Sequence, residues 1–177
     1  MAEIAATKSA ALALADERAL MRQGYRFLDE QRLLLAAEML RSLDRHRAAE
    51  AQLLEQLGRA QSALRQALQR HGLEGLQAYP PNAAVPPSPG VTRTLFLGVP
   101  LLSTIDGAAA MDLDDRAVDA SPEAHACSSA FVALLAPLAR TAAACGNLER
   151  LGAKYRRTER RARALENVLL PEVEAAL

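Results

Sequence analysis

The feature that most constrains this chain is a stretch of 65 residues, Thr7 to His71, that contains no proline and only two glycines. A series of mostly apolar positions recurs in steps of three and four, the spacing of a helix that packs along one narrow face. We call this face, which would contact a partner helix, the seam. These positions are Leu14, Arg18, Met21, Tyr25, Leu28, Arg32, Leu35, Met39, Leu43, His46, Glu50, Leu53, Leu57, Ala60, Leu64, Ala67 and His71. Two consecutive steps of four form a stutter at 35–39–43, which unwinds a left-handed supercoil locally. The stretch predicts one helix of roughly 95 Å that needs a partner.

A second stretch, from Glu123 onward, has the same kind of spacing. Ser121 and Pro122 precede it, and these residue types favour the cap and the first turn of a helix. Its expected apolar stripe comprises Phe131, Leu134, Leu138, Thr141, Cys145, Leu148, Gly152, Tyr155, Glu159, Ala162, Leu165 and Leu169. Two long helices joined by a returning segment pair as an antiparallel hairpin. We therefore predict an all-α fold, an elongated antiparallel two-helix coiled coil.

The segment between the helices has a different composition. The stretch from Gly72 to Pro89 is rich in helix breakers, and Val91–Val99 then nearly alternates β-branched or aromatic with other residues. Leu101–Ile105 can return as a second strand, although Gly98-Val99-Pro100 is not a standard two-residue turn. We predict a short β-hairpin or irregular middle segment. The chain then divides into residues 1–72, 73–121 and 122–177.

The composition agrees with a slender fold. Hydrophobic residues make up 50% of the chain but aromatic residues only 3%, so a wide core has little to fill it. The 21 basic and 21 acidic residues balance, which argues against a general nucleic-acid or anionic-membrane binder. Charges interrupt the N-terminal segment early, and the longest apolar run, Ala130–Ala139, is about half a membrane span. We expect a cytoplasmic protein with reduced cysteines and no direct membrane insertion.

Motifs that would indicate catalysis are missing from the sequence. It contains no GxSxG, GxxxxGKS/T or GxGxxG pattern. Two of the three histidines, His46 and His71, fall on the predicted seam. The third, His125, lies two residues before Cys127, but no CxxC or HExxH motif supports a zinc site. We expect a non-catalytic protein with no cofactor and no metal.

One cluster of charge is the strongest functional signal in the residues themselves. Seven basic residues lie within about four helical turns: Arg150, Lys154, Arg156, Arg157, Arg160, Arg161 and Arg163. Like charges at this density repel one another, so a partner surface with carboxylates or phosphates would relieve the cost. A solvated helix face is the default explanation of such a run, and a partner surface is the functional one.

The same region resembles a known family. The segment Arg160–Pro171 is similar to the RRVNALENVxIP signature of the D subunit of the V/A-type ATPases, the central rotor stalk. Thr7–Leu12 is similar to the TKxxL opening of that family, and Gly24–Arg32 resembles its GYxLLKxKR stretch, with Asp29 and Gln31 in place of lysines. Leu97–Pro100 is similar to its GVKVP-type segment. Because these matches keep the family order across most of the chain, the sequence is identified as a member of this family.

The resemblance implies a rotor that couples ATP hydrolysis or synthesis in the A–B hexamer to ion translocation by rotation. The axle would be non-catalytic, and its asymmetric surface would present a different face to each A–B interface. The residues expected to meet the hexamer are Thr7, Lys8, Arg156, Arg157, Arg160, Arg161, Arg163, Glu166, Asn167 and Pro171. The residues expected to dock the small F subunit are Leu53, Leu57, Leu64, Leu138 and Leu148.

Two further expectations come from the resemblance. The Gly72–Asp119 end would face the socket, which is the C subunit, and the membrane rotor, so the protein would lie at the membrane as part of a complex. The sequence stops at Leu177, sooner after Pro171 than is usual in the family; either the axle tip is naturally short or the sequence is truncated there.

Two other classes of protein stay open. A helical-hairpin component of a flagellar or type III export machine would share the architecture without needing the Arg160–Pro171 signature. An RNA-binding coiled-coil arm would use the basic cluster, although Tyr155 is the only aromatic residue inside it. Recovery of the A, B and F subunits, recovery of an export ATPase, or salt-sensitive RNA binding would distinguish the three classes.

Overall fold

The structure is a computed structural model, and it describes residues 7–77, 79, 90–105 and 121–177. Its elements in chain order are α1 (Lys8–Gln77), β1 (Gly90–Phe96), β2 (Val99–Ile105), α2 (Pro122–Ala133), α3 (Leu135–Ala164), a π-helical turn (Leu165–Leu169) and α4 (Leu170–Ala176). Most of the described residues are helical, and β1 pairs with β2 in a two-stranded sheet. The predicted all-α fold with a short β-hairpin is therefore confirmed.

The chain forms two compact units. The first contains residues up to 41, together with 96–99 and 149–177, and the second contains residues 42–95 and 100–148. Each unit thus combines part of α1 with part of the C-terminal helical region. The division of the chain into residues 1–72, 73–121 and 122–177 stays a prediction.

Helix α1 begins and bends at residues whose chemistry explains both events. Thr7 Oγ1 accepts a hydrogen bond from the backbone N–H of Ala10 at 3.2 Å, which is the geometry of an N-terminal cap. Near the other end, Gly72 has φ 67° and ψ 176°, a conformation outside the helical region that glycine adopts at little cost. The helix therefore kinks where the breaker-rich stretch begins, and a last helical stretch continues to Gln77.

In the first unit, the N-terminal part of α1 lies antiparallel to the C-terminal helical region. The Arg22 guanidinium forms an ion pair with the Glu174 carboxylate at 2.7 Å. Further along, a methyl group added at Gly152 would lie 3.9 Å from Cε of Met39, so the helices approach closely at this point. Since residue 22 meets 174 and residue 39 meets 152, the two segments run in opposite directions.

The apolar core of the first unit is thin. Among the described residues, the large side chains that are fully buried are Leu35 and Leu151, both 0% exposed. Ala162 and Val173 continue the buried stripe, and the buried Thr158 hydroxyl donates a hydrogen bond to the Lys154 carbonyl at 3.1 Å. A core of this kind agrees with the low aromatic content, because a two-helix seam needs few large rings.

In the second unit, the remainder of α1 lies antiparallel to α2 and to the first part of α3. His71 Nε2 lies 2.5 Å from Ser121 Oγ, which brings the end of α1 next to the start of α2. At the opposite end of the unit, Ser42 and Asn147 line the same cavity. Ala60 on α1 is fully buried, and a small residue at such a position permits close approach of the helices.

The predicted stripe of the C-terminal region is partly wrong. Gly152 and Ala162 are buried as expected, but Phe131, Leu138 and Cys145 are exposed. The buried positions before Gly152 instead include Pro137, Asn147 and Leu151. These predicted positions keep a strict repeat of seven from 131 to 152, and such a repeat drifts by about 20° per heptad around a straight α-helix, so it leaves the buried face.

The interruption between α2 and α3 has a local cause in Pro137. Proline has no backbone N–H, so it cannot donate the helical hydrogen bond to the carbonyl of Ala133. The backbone tightens there instead: the N–H of Leu134 bonds to the carbonyl of Phe131 at 3.2 Å. The N–H of Leu138 then bonds to the carbonyl of Leu134 at 3.0 Å, and the helix resumes.

The β-hairpin corrects the expectation about its turn. Leu97 and Gly98 form the two-residue loop, with φ values of 48° and 76°. Positive φ at both positions is the signature of a type I′ turn, whose twist matches that of the paired strands. Pro100 lies inside β2 rather than in the turn. The turn therefore begins at Leu97, one residue before the Gly98-Val99-Pro100 stretch that the sequence suggested.

Ser121 caps α2 and ties it to α1. Its Oγ accepts a hydrogen bond from the N–H of Ala124 at 3.3 Å and donates one to Glu123 Oε2 at 3.0 Å. With the hydroxyl proton given to Glu123, the 2.5 Å contact requires His71 Nε2 to be the donor toward Ser121. The pKa of Glu123 is lowered from 4.5, first by a hydrogen bond from its own backbone N–H and then by the Ser121 hydroxyl.

Replacing Ser121 with alanine is expected to lower the free energy of unfolding by about 1 kcal/mol, because the cap and its link to His71 are both lost. The loss should appear as a lower midpoint in chemical denaturation followed by circular dichroism. In the same variant the pKa of Glu123 should rise toward 4.5, measured by NMR titration of its carboxyl group. Ser121→Thr keeps a hydroxyl and serves as the control; an equal loss in both variants would contradict the capping role.

Candidate partner-binding surface

The arginines that the sequence singled out form an outward-facing surface on α3. Arg156, Arg157, Arg160, Arg161 and Arg163 are all exposed. At about 100° per residue, the stripe of 156, 160 and 163 lies on the side of the helix opposite the buried positions 158 and 162. We call these five residues the arginine face. Their placement leaves the guanidinium groups accessible to a partner.

The arginine face is only partly neutralised within its own helix. Arg163 forms an ion pair with Glu159 at 2.7 Å, one helical turn away. Arg156 with Arg160, and Arg157 with Arg161, are like-charged pairs at the same spacing, and each costs a helix about 0.2–0.5 kcal/mol. A surface with this arrangement gains more from carboxylates or phosphates brought by a partner than from its own helix.

The part of the Arg160–Pro171 signature that follows the arginine face contains a π-helical turn at Leu165–Leu169. The N–H of Leu170 bonds to the carbonyl of Leu165, five residues back rather than four. Pro171 explains the wider turn, because its ring would clash with the carbonyl four residues earlier and it has no N–H to donate. Glu166 and Asn167, two of the predicted partner-binding residues, therefore lie on widened backbone and are exposed, as is Pro171.

The structure brings the two most similar family segments into contact with each other. A methyl group added at Gly24 would lie 3.8 Å from Cδ1 of Leu165, so the glycine segment packs against the π-helical turn. Next to it, Tyr25 lies close enough to Glu166 for the carboxylate to raise the pKa of the tyrosine hydroxyl. Sequence reasoning placed Tyr25 on the seam but missed this pairing, because residues 25 and 166 are related only through the antiparallel register.

The surroundings of Tyr25 change its acidity. Desolvation raises the pKa of Tyr25 above 10.0, and the negative charge of Glu166 and the hydrogen bond to it raise it further. Asp29 adds to the increase, while the positive charge of Arg32 opposes it. Because the folded pKa is the higher one, this contribution to stability is complete below about pH 10 and is lost as the pH rises through the folded value.

Ionisation of Tyr25 can therefore report on the contact with Glu166. We expect an ultraviolet absorbance titration to show a tyrosine transition above pH 10.0 that disappears in Tyr25→Phe. Glu166→Gln should move this transition down toward 10.0, because the neighbouring negative charge is gone. Glu172→Gln removes a carboxylate elsewhere in the same region and is the control. If Glu166→Gln left the transition unchanged, the assigned contact would be wrong.

The first two predicted partner-binding residues lie at the start of α1. Thr7 is the cap of the helix, and its hydroxyl is also within 3.1 Å of Ser9 Oγ. Lys8 follows as the first helical residue and is exposed. The capping bond of Thr7 explains why this residue stands at the start of α1. Lys8 has its ammonium group accessible at the surface.

The residues predicted to dock the small F subunit have mixed exposure. Leu53, Leu57, Leu64 and Leu148 are half-buried, while Leu138 is 52% exposed. Phe131 and Leu135 are also exposed, and together with Leu138 they follow helical spacing on one side of the chain. Their exposed positions were not anticipated, because the sequence analysis assigned Phe131 and Leu138 to the buried stripe.

The same region has the composition of a membrane-crossing helix. Within Pro122–Ala176, an 18-residue window reaches a mean hydropathy of 1.4, and 6% of that window is buried. One such helix is weak evidence for membrane insertion. Among the described residues, no group of three or more histidine, cysteine, aspartate or glutamate side chains is placed to hold a metal ion.

Residues 10–177 match the family model for the ATP synthase D subunit, which covers nearly the whole chain. No curated protein matches the chain in sequence. The matched range contains the arginine face, the π-helical turn and the Gly24 segment that packs against it. The chain therefore belongs to the ATP synthase D subunit family, whose members are stalk subunits of rotary ATPases.

Proposed function

We propose that this chain is the central rotor stalk of a V/A-type rotary ATPase and couples ATP hydrolysis or synthesis in the A–B hexamer to ion translocation. Family membership supports the assignment to a stalk component. The observation that carries the finer assignment is the arginine face beside the π-helical turn. It combines concentrated positive charge with the segment that resembles the V/A-type signature.

The arginine face is suited to contacting the subunits of a surrounding ring one after another. Its guanidinium groups project from one side of α3, so a rotation of the stalk would bring them against one A–B interface at a time. Carboxylates of the hexamer would then favour a different interface in each rotary position, which shifts conformational populations by differential contact. No catalytic group on the stalk is needed for this role.

Glu166, Asn167 and Pro171 would extend the same contact toward the end of α4. Thr7 and Lys8 would contribute from the start of α1, where the Lys8 ammonium is accessible. The packing of Leu165 against Gly24 supports a shared role, since it places the π-helical turn against α1.

The second proposed contact joins the F subunit to Leu53, Leu57, Leu64, Leu138 and Leu148. The exposure of Leu138, with Phe131 and Leu135 nearby on the same side, supports an apolar partner in this region. The C subunit, which forms the socket, is the proposed partner of the 72–119 end. Such a stalk would be cytoplasmic and held at the membrane by the assembled complex.

Assembly with purified or co-expressed partners tests the proposed function. The tagged full chain should recover the A, B and F subunits in fixed proportion, and the tag alone should recover none of them. Recovery of a flagellar or type III export ATPase in place of the A and B subunits would instead identify an export component. RNA binding that falls steeply with salt, without either of these subunits, would identify the RNA-binding arm.

A further inference from the structure

The two edges of the β-hairpin are not equivalent. The two-residue turn at 97–98 sets a register in which Phe96 faces Val99. The same register places Thr92 opposite Ser103, and their hydroxyl oxygens lie 2.6 Å apart. Counting along this register, Arg93 faces Leu102. In an antiparallel pair, two residues that face each other either bond to each other through their N–H and carbonyl groups or both direct these groups away from the partner strand.

The outer edge of β2 is bonded to the rest of its unit. The side-chain amide of Asn147 accepts a hydrogen bond from the N–H of Leu102 at 2.8 Å and donates one to its carbonyl at 2.7 Å. Leu102 therefore directs its backbone N–H and carbonyl groups away from β1. Pro100, two residues earlier on the same edge, has no N–H to expose, and it has an interaction of its own. Asn147 thus takes the place of a neighbouring strand.

The outer edge of β1 has no comparable cap among the described residues. Because Leu102 faces outward, its opposite residue Arg93 also turns its N–H and carbonyl away from β2, and so do Val91 and Leu95. The Val91 and Leu95 side chains are 56% and 71% exposed. Arg93, between them, is exposed and forms no ion pair with a described residue. The edge therefore presents backbone hydrogen-bonding groups, two apolar side chains and one positive charge.

We propose that the outer edge of β1 binds an extended acidic peptide segment of a partner protein as an added strand. Only an extended backbone can bond to the alternating N–H and carbonyl groups of Val91, Arg93 and Leu95. Apolar residues of the segment would cover Val91 and Leu95, and an acidic residue between them would pair with Arg93. A second copy of β1 would bring arginine against arginine, a charge arrangement that discourages edge-to-edge pairing. This surface shares no residue with the arginine face, and its test requires no other ATPase component.

The experiment uses the isotope-labelled full chain and a synthetic peptide in which valine and threonine alternate around a central glutamate. In the free chain, the amides of Thr92 and Thr94 should exchange slowly with solvent and those of Val91, Arg93 and Leu95 rapidly. The peptide should slow the exchange of the three outward amides saturably, by roughly ten-fold or more. Outward amides already protected in the free chain, or no saturable protection at millimolar peptide, would overturn the proposal.

Two matched controls separate strand addition from general attraction. A peptide with a central lysine should bind roughly ten-fold more weakly, and Arg93→Glu should reverse this preference. A peptide N-methylated at alternate positions on its bonding edge keeps the side chains but loses the backbone donors, so it should fail to protect the three amides. Equal protection by the N-methylated peptide would show that side chains alone bind, which contradicts an added strand.

Discussion

Leu151→Ala is expected to lower the free energy of unfolding by about 2–5 kcal/mol, the largest stability effect we anticipate for this chain. Leu151 is 0% exposed, and the large fully buried side chains among the described residues are this one and Leu35. A seam with so few large side chains cannot easily collapse around a cavity, so the lost contacts add to the lost burial. The midpoint of urea unfolding, followed by helical circular dichroism, measures the effect.

Leu40→Ala is the matched control for this core substitution. Leu40 is the same residue type but is 65% exposed, so its loss should change stability by less than about 0.5 kcal/mol. Leu35→Ala should behave like Leu151→Ala, because both side chains are fully buried in the first unit. If Leu151→Ala and Leu40→Ala had equal effects, the assigned seam would be wrong.

Replacement of Arg160, Arg161 and Arg163 with alanine is expected to uncouple the assembled complex. Each exposed ion pair contributes about 0.2–1 kcal/mol, so the loss of three such contacts would weaken a partner interaction by roughly 3- to 150-fold. Ion transport per ATP hydrolysed should fall several-fold, while hydrolysis by the A–B hexamer continues. Proton or sodium uptake into proteoliposomes, measured together with phosphate release, gives this ratio.

The triple variant should keep its fold, which makes its functional effect interpretable. All three arginines are exposed, and the one local ion pair that is lost, Arg163 with Glu159, contributes only about 0.3–0.5 kcal/mol. A control variant replaces Arg47, Arg59 and Arg65, which are also exposed arginines but lie on α1 in the other unit. Unchanged coupling in the arginine-face variant, or equal loss in both variants, would count against the proposed contact.

The arginine face illustrates how far sequence reasoning extends to the site. Charge and helical spacing placed these residues on one surface, because positions within a single helix follow its fixed geometry. The widened turn at Leu165–Leu169 was not anticipated, although Pro171 was visible as a helix breaker. A proline in the sequence predicts an interruption of the helix. Whether the helical turn becomes tighter, as at Leu134, or wider, as before Pro171, depends on how the flanking helices pack.

Three features follow directly from the amino-acid sequence: the helical class, the cap at Ser121 and the clustering of the arginines along one helix. These features depend on interactions within a few residues, which side-chain chemistry specifies directly. Three other features emerge only in the folded chain: Tyr25 lies beside Glu166, Asn147 caps the edge of β2, and Phe131 and Leu138 lie outside the seam. Such contacts join residues far apart in the chain, and their partners depend on the register between helices, which an alanine-rich seam leaves weakly specified.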